Sequence, residues 1–173
     1  MTRLKLEQHP EKLVNFMIFR NVKNTAEMLK MLKSGLISSA LISENMVVSS
    51  LHLGVAINRA LHNLCNGTMR TKHINTEIMM CLSPNNNISQ SLARFGLNEN
   101  TNNIVSLSVC DDEDQLSKMT QQLKTIIKAD LVNDCRGFFY DDFEICDVYG
   151  VSKEELAVDT LENSVITKIA TKI

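Results

Sequence analysis

An apolar run near the start of the chain sets the strongest requirement on the fold. The run Leu13–Val22 (LVNFMIFRNV) is rich in strand-forming side chains, and apolar residues occupy both faces that a strand would present. A strand that is apolar on both faces needs cover on both sides, which in layered proteins comes from helices or from a second sheet. We therefore predict a buried strand here, inside a layered protein.

Helical and extended patterns are mixed along the rest of the chain. Apolar residues at helical spacing, often preceded by capping residues, predict a short helix from Asn24 to Gly35 and longer ones over 49–66, 113–127 and 153–170. A short helix ending at Gly150 is also predicted. Further strands are predicted over Thr76–Ser83 and Asn103–Cys110, the latter with one buried face because apolar residues alternate with serines. Residues 128–137 are predicted to form a loop or an edge strand, and 36–48 remain ambiguous.

These elements predict a mixed α/β (α+β) fold in which a mixed, mostly antiparallel sheet is covered by helices. The length of 173 residues fits one domain of ordinary size, and no linker rich in proline, glycine or serine divides it. We therefore predict a single domain over residues 1–173.

The composition narrows the classes of function. A net charge of −2 with 44% hydrophobic residues is typical of a folded protein and argues against a free-standing basic nucleic-acid binder. The five cysteines form no CxxC pair and the four histidines form no HxxxH or HExxH, so neither a metal nor another cofactor is predicted. Without a signal segment or an 18-residue apolar stretch, we expect a soluble protein of the nucleus and cytoplasm with no membrane partner.

Sequence signatures of catalysis are absent. The chain contains no GxSxG, GxxxxGK[ST] or GxGxxG, and its six glycines leave little material for a phosphate-binding loop. The residues therefore favour binding over catalysis. Two alternatives stay open: a small enzyme with an assembled pocket, marked by His52 or His62 near a carboxylate, and a self-associating structural domain.

The stretch SPNNNISQSLARFGL over residues 83–97 predicts a short helix with one apolar face. Ile88, Leu92 and Phe95 follow one another at i, i+4 and i+7 before Gly96, and the asparagines suit a turn and a cap. Such a stripe either covers the protein's own core or enters a groove of a partner, and the sequence leaves both interpretations open.

A basic segment lies just upstream of this helix. Arg70, Lys72 and His73 fall within five residues, and such a group is usually a solvated surface. In an extended segment, alternate side chains point the same way, so Arg70 and Lys72 can also project together toward phosphates. Arg59, His62 and Arg94 are potential neighbours.

Residues 69–97 (MRTKHINTEIMMCLSPNNNISQSLARFGL) carry a resemblance to a known family. With FRNVKNTAEM over 19–28 and VAINRALH over 55–62, this block resembles the PRPK-binding protein family (TPRKB), the kinase-binding subunit of the KEOPS/EKC complex. The matching features are Thr76-Glu77-Ile78, the run from Leu82 to Ser89, Leu92 and Phe95-Gly96. The resemblance spans nearly the whole chain and is weakest between Asn98 and Tyr149.

The resemblance implies a non-catalytic accessory subunit with a mixed α/β fold. Its direct partner would be the small atypical kinase-ATPase of the complex, which the subunit would stimulate, with other subunits contacted indirectly. It would also help to hold tRNA, through the 3′ CCA end, for threonylcarbamoyl-adenosine modification, whose transfer step belongs to another subunit. The implied kinase-binding residues are Ile88, Leu92, Phe95 and Leu97. The implied tRNA-binding residues are Arg70, Lys72, His73 and Arg94.

Overall fold

The computed structural model describes residues 2–132 and 137–172. Within this part of the chain there are five strands and eight α-helices. The strands are β1 (Thr2–Leu4), β2 (Leu13–Arg20), β3 (Ala40–Ser43), β4 (Ile104–Cys110) and β5 (Asp130–Val132). The helices are α1 (Thr25–Lys33), α2 (Ser50–Cys65), α3 (Ile74–Leu82), α4 (Ile88–Phe95), α5 (Glu113–Ile126), α6 (Asp142–Tyr149), α7 (Lys153–Val158) and α8 (Leu161–Ala170). The predicted mixed α/β fold class is confirmed.

The described residues group into two compact units, each assembled from two stretches of chain. The sheet unit takes its residues from Met1–Glu44 and Gly96–Arg136 and contains the five strands with α1 and α5. The helical unit takes its residues from Asn45–Phe95 and Gly137–Ile173 and contains the other six helices. That residues 1–173 form one domain stays a prediction.

The sheet is antiparallel, with strand order β1-β2-β4-β3, and β5 pairs with β2. Strand β2 is buried from Val14 to Phe19, which confirms the prediction of a strand covered on both faces. The short β5 confirms an edge strand for part of 128–137, whereas residues 133–136, including Cys135, lie outside the described residues. Between β2 and α1, Asn24 bonds the end of α5, since its Nδ2 donates to the carbonyl of Ile126 at 2.9 Å.

Strand β4 confirms the predicted position but not the predicted exposure. We expected its serines to face solvent, and this was wrong, because Ser106 and Ser108 are as buried as Leu107 between them. The hydroxyl of Ser106 donates to the carbonyl of Met17, and those of Ser108 and Ser39 share a 2.7 Å hydrogen bond. Small hydroxyls that find such partners can be buried at little cost.

The prediction of a strand over Thr76–Ser83 was wrong, because this run forms helix α3. Residues Glu77 to Leu82 are all buried, so the run shows neither the alternation of a half-buried strand nor the polar face of a surface helix. A short apolar run of this kind is compatible with either structure, and methionine and leucine favour the helix. Packing of α3 against α2 decides the outcome.

The single closing helix predicted over 153–170 is two helices. Ser152 and Glu155 form a capping box that starts α7. Asp159 is extended and ends α7, and Thr160 starts α8 by accepting a hydrogen bond from the backbone N–H of Asn163 on its Oγ1. A second cap inside the predicted helix therefore divides it.

Among the described residues, no helix combines the length and hydropathy needed to cross a bilayer.

Candidate functional site

The apolar stripe of α4 lies partly in the core of the helical unit. Phe95 is 0% exposed and packs edge-on against the ring of Tyr149, with ring centroids 6.2 Å apart. Ile88 is 38% exposed and Leu92 is half-buried. Leu97 packs against the apolar core of the sheet unit. Phe95 therefore lies in the core, and Ile88 has the most exposed side chain of these four residues. A kinase-binding role for the four residues stays a prediction.

The asparagines before α4 shape the turn. The side-chain oxygen of Asn85 accepts hydrogen bonds from the backbone N–H of Asn87 at 3.0 Å and from the hydroxyl of Ser91 at 3.3 Å. Asn87 then caps α4, because its Oδ1 accepts the N–H of Gln90 at 3.0 Å. The polarity of this stretch is accounted for by turn and cap geometry.

Glu77 organises the loop that carries the basic segment. The residue is 1% exposed, and its carboxylate accepts hydrogen bonds from the backbone N–H groups of Arg70 and Thr71, the hydroxyl of Thr71 and the amide of Asn63. A buried carboxylate requires such donors to offset its lost hydration. Glu77 therefore holds the loop between α2 and α3 in one shape, which fixes the backbone position of Arg70.

A second arrangement ties the end of α8 to α2 and α3. The guanidinium of Arg59, on α2, donates hydrogen bonds to the carbonyls of Ile169 and Lys172. The ammonium of Lys172 in turn donates to the carbonyls of Met80 at 2.6 Å and Ser83 at 3.0 Å, at the end of α3. Cations at helix C-termini satisfy carbonyls that lack helical partners and complement the helix dipole.

These two arrangements meet at a cavity of about 190 Å³ with an excess of positive charge. Its wall carries the cations Arg59, Arg70 and Lys172 and a single carboxylate, Glu77. Burial, with the adjacent arginine charges, lowers the pKa of Lys172 to about 8, so the ammonium is mostly charged at neutral pH. The lining residues are Arg59, Asn63, Thr68, Arg70, Glu77, Met80, Cys81 and Lys172. Such a cavity suits an anion.

The predicted basic residues are not all assembled there. Arg70 lines the cavity, whereas Lys72 and His73 are exposed on the adjoining loop. Arg94 lines a different cavity, of about 470 Å³, with Asn85, Gln90 and Ala93. Arg59 could be predicted from the sequence only as a potential neighbour of the basic segment. Lys172 could not be predicted, because no local pattern connects it to Arg70, about a hundred residues earlier.

The histidines considered for an assembled enzyme pocket have other roles. His52 is fully buried, its Nδ1 accepts the N–H of Val48, and its Nε2 lies 3.1 Å from the hydroxyl of Tyr149. Burial lowers the pKa of His52 to about 3, so the ring is neutral. His62 is exposed and pairs with Asn66. In the described hydrogen bonds neither ring meets a carboxylate, and the described residues contain no group suited to hold a metal ion.

Comparison with known proteins gives a family match and several relatives. The family model described as kinase binding protein CGI-121 matches residues 19–173. The EKC/KEOPS complex subunit TPRKB of Danio rerio is 31% identical over 173 residues, covering 96% of this chain and 95% of the relative. The EKC/KEOPS complex subunits CGI121 of Yarrowia lipolytica and Candida glabrata are 40% identical over 53% of this chain and 28% identical over 76% of it, covering 55% and 77% of their own lengths.

Proposed function

Because this chain belongs to the CGI-121 family of kinase-binding proteins, we propose that it is a non-catalytic subunit of an EKC/KEOPS complex. In this role it binds and stimulates the small kinase-ATPase of the complex and helps to hold tRNA. The observation that carries the proposal is the match to the family over residues 19–173, together with a relative of nearly equal length that bears the name of such a subunit. Residence in both nucleus and cytoplasm is part of the same proposal.

Kinase binding is tested by co-expression of the chain with the kinase-ATPase of the same organism's complex. We expect the two proteins to co-elute from a sizing column, and light scattering to give the mass of a hetero-complex. The chain by itself is expected to turn over neither ATP nor a tRNA substrate. A homodimer that excludes the kinase would instead support the self-associating structural domain, and turnover by the isolated chain would support the enzyme alternative.

The positive cavity supports the proposed tRNA contact. Arg59, Arg70 and Lys172 line a recess large enough for a phosphate group, and Lys72 lies exposed on the loop that Glu77 shapes. Phosphate contacts of this kind position RNA without reading its sequence, as expected of a subunit that presents RNA to other proteins.

We expect the double substitution Arg70→Glu with Lys72→Glu to weaken tRNA binding and to reduce its dependence on salt. Each lost phosphate contact removes about one unit from the slope of log affinity against log salt. The matched control is Lys118→Glu with Lys124→Glu, which changes the net charge equally on the exposed side of α5. Titration of labelled tRNA at several salt concentrations measures both quantities, and equal slopes for the two variants would contradict this placement.

A further inference from the structure

A mainly apolar groove of about 500 Å³ runs along α6 and α7. Its lining residues are Asp142, Phe143, Cys146, Asp147, Gly150, Val151, Lys153 and Leu156. The turn between the two helices depends on Gly150, whose φ of 61° lies in the left-handed region that glycine adopts without strain. Hydrogen bonds from the N–H groups of Gly150 and Val151 to the carbonyls of Asp147 and Cys146 close the end of α6. The groove is therefore a defined feature of the backbone.

The side chains along this segment are unusually exposed for their type. Phe143 is 83% exposed and Leu156 is 40% exposed, both on the groove wall. Nearby in the sequence, Val158 is 87% exposed, and α7 contains no buried residue. Full burial of one such side chain stabilises a complex or a fold by roughly 1.5–3 kcal/mol, and an exposed side chain does not make this contribution. A contiguous apolar surface with polar edges typically marks an interaction site.

The segment of chain that carries the groove is rich in acidic residues. Asp142 and Asp147 stand on its wall with one opposing cation, Lys153. Over residues 137–162 the chain has one basic residue, Lys153, and the acidic residues Asp141, Asp142, Glu144, Asp147, Glu154, Glu155, Asp159 and Glu162. Such a surface repels RNA. It would also repel its own copy, because pairing two identical acidic faces places like charges together.

We propose that this groove is the surface through which the chain binds its kinase, and that it takes a basic amphipathic segment of that partner. Apolar side chains of the segment pack against Phe143 and Leu156, while its lysines or arginines face Asp142 and Asp147. The inference rests on the proposed function, because it names the surface used for kinase binding. Phe95, the aromatic residue of the α4 stripe, is fully buried and cannot contact a partner, whereas the side chain of Phe143 is exposed.

The test measures the affinity of the full chain for the kinase-ATPase by calorimetry. The double substitution Phe143→Ala with Leu156→Ala is expected to weaken binding at least tenfold, because both anchors are lost. Leu36→Ala is the control, since Leu36 is 59% exposed and belongs to the sheet unit. Its affinity should match that of the unchanged protein.

The charge complementarity is tested separately. Asp142→Asn with Asp147→Asn should weaken binding severalfold at low salt and reduce the salt dependence of the affinity. Glu99→Gln with Asp114→Asn removes the same number of exposed carboxylates from the sheet unit and should leave the salt dependence unchanged.

Hydrogen exchange of the unsubstituted complex provides a readout that needs no variant. Kinase binding should slow exchange of the amides along α6 and α7. If the kinase binds but exchange there is unchanged, or if Phe143→Ala with Leu156→Ala binds it normally, the groove assignment is overturned and the proposed function stands. If the unchanged protein does not bind the kinase at all, both fail. A substitution in the groove that weakens tRNA binding or a homodimer instead would also overturn the assignment.

Discussion

His52 links three helices of the helical unit through a chain of hydrogen bonds. Because its Nδ1 accepts the N–H of Val48, the ring proton resides on Nε2 and is donated to the oxygen of Tyr149. The hydroxyl of Tyr149 then donates to the carbonyl of Leu82, at the end of α3, at 2.9 Å. Each donor and acceptor in this series of hydrogen bonds has a partner only while the imidazole is neutral.

We therefore expect acid to destabilise the protein through His52. Its pKa is about 3 when folded and near 6.5 in the unfolded chain, so the unfolded state binds more protons between these values. The free energy of unfolding should fall by up to about 1.4 kcal/mol for each unit of pH lowered from about 6.5 toward about 3. Urea denaturation at pH 7, 6, 5 and 4 measures this dependence.

The matched variant for this prediction is His52→Gln, which cannot titrate. Carboxylates contribute equally to both proteins, so the difference in slope isolates the histidine. Parallel stability curves for the two proteins below pH 6.5 would show that His52 is not the cause.

At the scale of elements, the separation of α7 from α8 depends on Thr160. Its Oγ1 accepts the N–H of Asn163 at 3.2 Å, and the side chain of Asn163 donates to Asp159 at 2.8 Å. Replacing a threonine cap with alanine typically costs about 1 kcal/mol.

We expect Thr160→Ala to lower the free energy of unfolding by about that amount, because it leaves the first turn of α8 without its acceptor. Thr167→Ala is the control, since Thr167 is an exposed threonine within the same helix. Chemical denaturation followed by circular dichroism compares the two. Equal stability losses in both variants would exclude a capping role.

An element with a clear polar face and a clear cap could be predicted from the sequence, as α2 shows. Ser49 caps α2 and the apolar stripe then follows one face, so local residues specify the helix. Helix α3 could not be predicted, because a run buried on all sides has no periodicity to read. Its structure is decided by packing against α2, which lies outside the run itself.

The candidate cavity shows the same limit for sites. Arg70 could be selected because it lies in a basic segment, but Lys172 reaches the cavity only through the folded positions of α3 and α8. Phe95 was placed on a binding surface because helical spacing gives the face of a helix but not its neighbour. Spacing cannot tell whether an apolar face meets the chain's own core or a partner.

For the whole molecule, burial predicts an uneven distribution of local stability. The strands β2 and β4 are almost entirely buried and paired, whereas α7 has no buried residue. Opening of a segment costs little free energy when few apolar contacts are lost.

In native-state hydrogen exchange of the free protein, we expect the slowest amides in β2 and β4 and the fastest helical amides in α7. Mass spectrometry of peptic fragments can measure this without assignment of single residues. Exchange in α7 as slow as in β4 would contradict the prediction and would show that α7 is covered in the free protein.

The order of the strands has a consequence for synthesis. Val14 of β2 lies opposite Val109 of β4, and the segments that form α2, α3 and α4 are translated between them. When translation has reached residue 100, β2 can pair only with β1, because β4 has not yet been synthesised. Pairings this distant in sequence close slowly, so an unpaired apolar edge persists during translation and is a natural target for chaperones.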